Sequence, residues 1–246
     1  MTTFAASNWT DSFFDEGYEE TFRRLGKYDT TETDISNLLK LVPIPASSLI
    51  LDVPCGWGRH AGTLNAHGFR VVGVDASAAQ IRRARQKWPD VEFHQCDMRA
   101  VPGSGYNTVL NLWTSFGSLP GRKEDLDALT QWNIATLPGG YLVMELTTRE
   151  HAEAANRSNS EEIGRKSVTS NGVREDATFD WKKGVSYNTY TCGDWSRTCV
   201  TRLYTRPELQ TMLRAAGYDE VHMYGGFTGE PIRDDTRTVL VARKPL

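Results

Sequence analysis

Residues 48–59 read SLILDVPCGWGR. An aliphatic run ends on an acid, turns through two glycines one residue apart, and meets the start of a helix-length amphipathic stretch, as when a buried strand runs into a helix. Glycine at such a turn lets a ligand approach the backbone closely, and open α/β sheets bind ligands outside the carboxyl ends of their strands. Asp52, Gly56 and Gly58 therefore mark a candidate binding edge as well as a fold.

Downstream of this turn, short apolar runs alternate with amphipathic segments: a helix from about Arg59, RVVGVD (70–75), a helix from about Ser77, VEFHQ (91–95), YNTVLNLW (106–113), a helix from about Lys123 and YLVMEL (141–146). This order predicts a parallel sheet flanked by helices. Asp75-Ala76-Ser77 offers an N-cap, and Pro138-Gly139-Gly140 is expected to separate a helix from the next strand. Residues 150–204 change character. A polar SNSEE stretch (158–162) precedes the alternating segments VREDATFDW, VSYNTYT and TCVTRLYT, punctuated by Gly172, Gly184 and Gly193, which read as an antiparallel insert. A helix from about Pro207 to Ala216-Gly217 and two closing strands, YDEVHMYG and TRTVLVARK, then predict an antiparallel edge. At the N-terminus Trp9, Phe13, Phe14, Tyr18, Phe22 and Tyr28 interleave with Asp11, Asp15, Glu16, Glu19 and Glu20, as expected of covering helices.

Composition narrows the function classes. A net charge of -3 over 246 residues offers no general attraction for nucleic acid. A mean hydropathy of -0.47 and the lack of a run of about 20 apolar residues argue against a membrane span, and the N-terminus lacks the basic start and apolar run of a signal peptide, so the expected compartment is the cytoplasm. The four cysteines, Cys55, Cys96, Cys192 and Cys199, form no C-x-x-C pair and read as reduced thiols, with Cys192 and Cys199 able to face each other across a hairpin. No metal is expected.

Gly56-x-Gly58-x-x-Ala61 with Asp75 fits a loose dinucleotide pattern. Asp52 points elsewhere, because a carboxylate before the turn repels a pyrophosphate and attracts the ammonium of an amino-acid cofactor. Cys96-Asp97-Met98 adds an acid able to accept from an adenine amino group and a thioether to pack on its ring. Each acid has a plainer role open to it as a cap or turn residue.

The runs LDVPCGWGRHAGTLNAHGFRVVGVDAS (51–77), CDMRAVP (96–102), NTVLNLWTSFGSL (107–119), LPGGYLVMEL (137–146) and LYTRPELQTMLRAAGYDEV (203–221), in that order, resemble a class I S-adenosylmethionine-dependent methyltransferase. The resemblance covers roughly residues 9–244 and is weakest across the insert. It implies one Rossmann-like three-layer α/β domain with a seven-stranded, mainly parallel sheet and an antiparallel last strand. Residues 1–46 would form a helical lid, 47–149 the cofactor-binding core, 150–204 the substrate-side insert and 205–246 the rest of the core. By the same resemblance Asp52 and Gly56 border the methionine moiety of S-adenosylmethionine (SAM), Asp75 the ribose, Asp97 and Met98 the adenine, and Asn111 with Leu112 the wall beside the sulfonium. Pro54, Gly58, Ala76, Gln80 and Tyr18 complete the expected cofactor shell, and S-adenosylhomocysteine (SAH) is the implied product. Pro54 departs from the usual D-x-G-x-G-x-G and removes a backbone donor.

The implied reaction is an in-line displacement that needs alignment in a dry site, and a base only for a protonated nucleophile. Tyr18, Glu145 and His151 are the candidate catalytic residues; Trp113, Tyr187, Trp195 and Arg202 are candidates for the acceptor side. Plainer readings stand beside these: Glu145 as a partner of Arg149, His151 as a surface histidine, the aromatics as core. Residues 165–206 carry eight Lys/Arg against four Asp/Glu, which suits an anionic group on the acceptor or a solvated face. Asn111-Leu112-Trp113-Thr114 is not the N/D-P-P-Y of base-modifying enzymes, so a small-molecule acceptor is expected, with the protein a monomer or homodimer. The alternatives are a SAM-binding protein that catalyses a non-methylating reaction such as a cyclisation, and a nicotinamide-dependent oxidoreductase.

Overall fold

A computed structural model describes residues 9–156 and 163–246, together with every side chain in those ranges except that of Asp11. Residues 1–8 and the SNSEE stretch expected to open the insert lie outside the described residues.

Three helices come first: α1 (Trp9–Phe13), α2 (Glu16–Arg24) and α3 (Thr31–Leu41). The core then runs β1 (Leu49–Asp52), α4 (Arg59–Ala66), β2 (Arg70–Asp75), α5 (Ala78–Lys87), β3 (Glu92–Gln95), β4 (Tyr106–Asn111), α6 (Arg122–Ala135) and β5 (Thr136–Leu146). The insert follows as α7 (Arg149–Ala155), β6 (Ile163–Ser170), β7 (Val173–Asp180), β8 (Val185–Cys192) and β9 (Trp195–Arg202). The chain returns to the core through α8 (Arg206–Ala215), β10 (Glu220–Tyr224) and β11 (Thr238–Arg243).

Seven strands make one sheet in the order β10-β11-β5-β4-β1-β2-β3, and β11 is antiparallel to both of its neighbours. It lies one place in from the edge. Strand alternation sorts the core onto two faces. Leu51, Val72, Val109, Leu142, Met144 and Leu240 pack with α6 and α8, whereas Ile50, Val71, Leu110, Val143 and Val241 pack with α3, α4 and α5. The result is the expected three-layer α/β sandwich, and it leaves the carboxyl ends of β1, β2 and β4 on one edge. No described helix is long and apolar enough to cross a membrane.

Three local expectations need correction. Pro138-Gly139-Gly140 does not separate α6 from β5 but lies inside the strand, where pairing jumps from Tyr106↔Thr136 to Thr108↔Tyr141. Cys192 and Cys199 do not face each other; Cys192 pairs with Trp195, and Cys199 with Asn188. The insert also carries α7 and a fourth strand, β6, whose IGRKSVTS sequence is exposed along most of its length and shows no apolar face to betray it.

The insert sheet has the order β6-β7-β8-β9 and shares one cleft with the residues at the carboxyl ends of the core strands. Its exit is pinned to the core by Arg202, whose amide donates to the Gly117 carbonyl (2.8 Å) and whose guanidinium binds buried Asp125, which also accepts from the Tyr204 hydroxyl (2.7 Å). Arg202 is thus a structural joint and not an acceptor-side residue. Gly117 is required here: its φ is +90°, and an added Cβ would sit 2.4 Å from the Arg202 carbonyl oxygen. Trp195 is likewise a fastener. Its Nε1 donates to Asp15 Oδ1 (2.7 Å), Arg197 Nη2 binds Asp15 Oδ2 (2.9 Å), and its ring fills the space where a Cβ on Gly17 would be. The N-terminal helices are therefore fastened to the insert, and Phe13, Tyr18, Phe22, Trp113, Tyr190 and Trp195 share one aromatic cluster at their junction.

Candidate active site

A cleft of about 1370 Å³ opens between lid, insert and the carboxyl edge of the sheet. That exceeds the usual range for a single small ligand. Its floor is the β1–α4 turn, with Pro54, Cys55 and Gly56 on the surface. Gly56 has a φ of +55°, and the nearest atom to an added Cβ would be Gln80 Oε1 at 3.8 Å, so a ligand can lie directly on this backbone. Gly58, with a φ of +80°, is not part of this surface: its missing Cβ makes room for the Phe93 and Trp88 rings, which corrects its expected contact with cofactor.

Asp75, at the end of β2, accepts from the Gly56 amide (2.9 Å) and the Ser77 amide (2.8 Å) and still faces the cleft. Burial pushes its carboxyl up to about 6 against those two donors. Asp52 lies beneath the turn with no exposed surface. Burial raises it to about 7, opposed chiefly by the Arg59 guanidinium. Asn111 is also fully buried; Nδ2 donates to the Val53 carbonyl (2.7 Å) and Oδ1 has no partner, so it supports the turn from behind. Gln80 does not line the cleft. Its Nε2, with the Ser77 hydroxyl, donates to the Phe14 carbonyl and ties the lid to α5.

Ala76, Asp97 and Met98 form the cleft wall beyond Asp75, and Leu112 lies on the opposite side of the turn. Arg99 grips Asp97 through two hydrogen bonds (2.9 and 2.7 Å), which hold its carboxyl below the usual range. Trp113 and Thr114 follow β4 with φ of +68° and +58°, a costly conformation for residues with side chains. Glu145 holds it in place. Its Oε2 accepts from the Trp113 amide (2.9 Å), its carbonyl from the Thr114 amide (2.8 Å), and its Oε1 is ion-paired with Arg237. The expected partner, Arg149, binds Glu153 instead. Glu145 is thus occupied in shaping the wall and is not free to act as a base.

Strand parity decides what the insert presents. Ser186, Asn188 and Tyr190 of β8 face the cleft, together with Lys166, Glu175, Phe179, Cys199 and Thr201 from the neighbouring strands. Tyr187, one residue out of phase, points to the other face of the sheet and is not an acceptor contact. Tyr190 donates to Glu175 Oε1 (3.0 Å). His151 lines the cleft from α7 with Nδ1 unpartnered, and burial, reinforced by Arg237, lowers its imidazole below the ordinary value. Tyr18 faces the cleft from the lid, its hydroxyl pushed well up by burial. Arg59, Tyr28 and the polar face of β7–β9 were not legible as site residues, since no motif marks them. Only period-two alternation, read in the correct phase, would have selected 186, 188 and 190.

A family model described as "Methyltransferase domain" matches residues 50–140, the stretch from β1 into β5 that carries the turn, Asp75 and Asp97. Over residues 50–140 the chain is thus similar to a methyltransferase domain. The chain is 32% identical over 119 residues to the dTDP-3-amino-3,4,6-trideoxy-alpha-D-glucopyranose N,N-dimethyltransferase of Streptomyces venezuelae, covering 48% of this chain and 50% of that protein. It is 34% identical over 112 residues to the trans-aconitate 2-methyltransferase of Paracidovorax citrulli, covering 44% and 42%. The matched region spans about half the length of these curated relatives. The solved structure of SAM-bound CalS10, an amino pentose methyltransferase from Micromonospora echinaspora involved in calicheamicin biosynthesis, superposes with a TM-score of 0.68 at 25% identity over 93% of this chain and 97% of that one. The site fits the cofactor on its own terms: an open glycine backbone at Gly56 and an acid, Asp75, that faces the cleft.

Proposed function

We propose that this chain transfers a methyl group from SAM to a small, hydroxyl-rich acceptor, with an amine nitrogen as the nucleophile. One observation carries the reading: one cleft joins the β1–α4 turn and Asp75 to the polar face of the insert sheet, so a cofactor and an acceptor can share it. The cofactor, when bound, supplies an electrophilic methyl on a positively charged sulfur. In this reading Gly56 and the buried charge of Asp52 serve its methionine end, Asp75 its ribose, and Ala76, Asp97 and Met98 its adenine, with Leu112 beside the sulfur and Asp97 sharing its acceptor capacity with Arg99.

Fixing two reactants in a near-attack arrangement can account for about 7–11 kcal/mol of barrier. Ser186, Asn188 and Thr201 suit a hydroxylated acceptor, and Glu175 offers a carboxylate to an ammonium. An ammonium must lose a proton before attack, and the unpartnered His151 Nδ1 is the group available to take it. The sugar N,N-dimethyltransferase and the amino pentose enzyme support nitrogen and a place in secondary metabolism. The trans-aconitate relative favours a carboxylate oxygen instead.

The test is transfer of labelled methyl from SAM to a nucleotide-linked amino sugar, its hydroxyl counterpart and trans-aconitate, with SAM binding followed by calorimetry. Label in the amino sugar, reduced at least tenfold by His151→Ala with SAM affinity unchanged, is the expected result. Label in trans-aconitate alone would replace nitrogen by oxygen. Failure to bind SAM would end the reading.

A further inference from the structure

Arg59 is the first residue of α4 and projects into the cleft with 7% of its surface exposed. Its Nη1 donates to Thr31 Oγ1 in the lid (2.7 Å), while Nη2 is buried without a hydrogen-bond partner. The guanidinium lies 5.4 Å from the Tyr28 ring centroid and 4.8 Å from that of Trp113, so aromatic faces take the place of an anion. Glu145 is already engaged by Arg237 and the Trp113 amide, and Asp52 is sealed beneath the turn. Burial accordingly pulls Arg59 below its ordinary value.

A guanidinium removed from water with an open donor is costly, and its planar fork matches a carboxylate in both geometry and charge. We propose that Arg59 is a carboxylate anchor of the cleft, which receives either the α-carboxylate of the cofactor's amino-acid end or a carboxylate of the acceptor. The remaining contacts of the side chain reach the lid at Tyr28 and Thr31 and the strained wall at Trp113. An anion held at Nη2 would therefore brace the lid against the core. The inference rests on the SAM reading of the same cleft.

Calorimetry on the intact chain separates the two sources. SAH and its decarboxylated analogue, which keeps the ammonium, are titrated into the wild type, Arg59→Met and Arg59→Lys. If the cofactor supplies the carboxylate, the wild type prefers SAH by about 10- to 100-fold, the range of a hydrogen bond to a charged group. Arg59→Met then binds both nucleosides equally, and Arg59→Lys falls between. If the acceptor supplies it, both nucleosides bind alike in every variant, and trans-aconitate binds the SAH complex of the wild type but not that of Arg59→Met. A substitution that weakens both nucleosides by the same factor, or leaves every affinity unchanged, overturns the anchor. Melting curves confirm folding, and should Arg59→Met fail to fold, Arg59→Lys carries the same comparison. Absence of SAH binding by the wild type would overturn the cofactor reading and this inference together, whereas a failure confined to the variants overturns this one alone.

Discussion

Asp52 is the residue whose chemistry reaches furthest. With its carboxyl raised to about 7 in the fold against an ordinary 3.8, the ligand-free protein holds a proton there that the unfolded chain releases above about pH 4. The sign follows. Stability linked to Asp52 is fully present below pH 4 and is lost as pH rises through about 7, so Asp52→Asn should flatten the fall in melting temperature between pH 5 and pH 8. A cationic ligand lowers the same carboxyl, so SAH binding near pH 6 should release a proton. Titrations in buffers of different ionisation enthalpy would show it, and the release should vanish in Asp52→Asn. The importance of Asp52 was legible from its place at the end of an aliphatic run. Its complete burial was not, because burial depends on what the tertiary fold packs around the turn.

At the scale of elements, the lid is held by a small number of specific fasteners. Asp15 both caps α2, by accepting from the Gly17 amide, and binds Trp195 and Arg197 of β9. Asp15→Ala should leave the core intact but loosen α1 and α2. Hydrogen exchange in residues 12–24 should accelerate markedly while that of β1 and β4 stays unchanged, and unchanged lid exchange would show the aromatic cluster to be sufficient. The parallel strands and their helices were readable from period and punctuation because each is buried by its own pattern. The phase of β8 was not, since Tyr187 and Tyr190 are both plausible inward residues, and the choice between them is made by pairing with β7 and β9.

Over the whole molecule, the insert and the core are one cooperative body only if their joint holds. Asp125 is fully buried and joins Arg202, at the exit of the insert, to Tyr204 and α6. Removing one partner of a buried pair typically costs about 3–5 kcal/mol, so Asp125→Ala should lower the urea midpoint substantially and Asp125→Asn less. A loss under about 1 kcal/mol would mean the insert is secured elsewhere. The cleft exists between these two bodies, so such a variant should also lose acceptor binding before cofactor binding.

The sequence by itself determined the seven-stranded sheet, its helices, the glycine turn after β1 and the acids that end β2 and follow β3, because strand and helix periods and glycine turns are local properties of the chain. Only the tertiary structure decided which side chains meet in the cleft. It turned Trp195 and Arg202 into fasteners, set Glu145 against Arg237, brought His151 and the 186–188–190 face over the turn, and left Arg59 with an open donor. These outcomes depend on contacts between residues tens to more than a hundred positions apart, and no local period encodes such pairings.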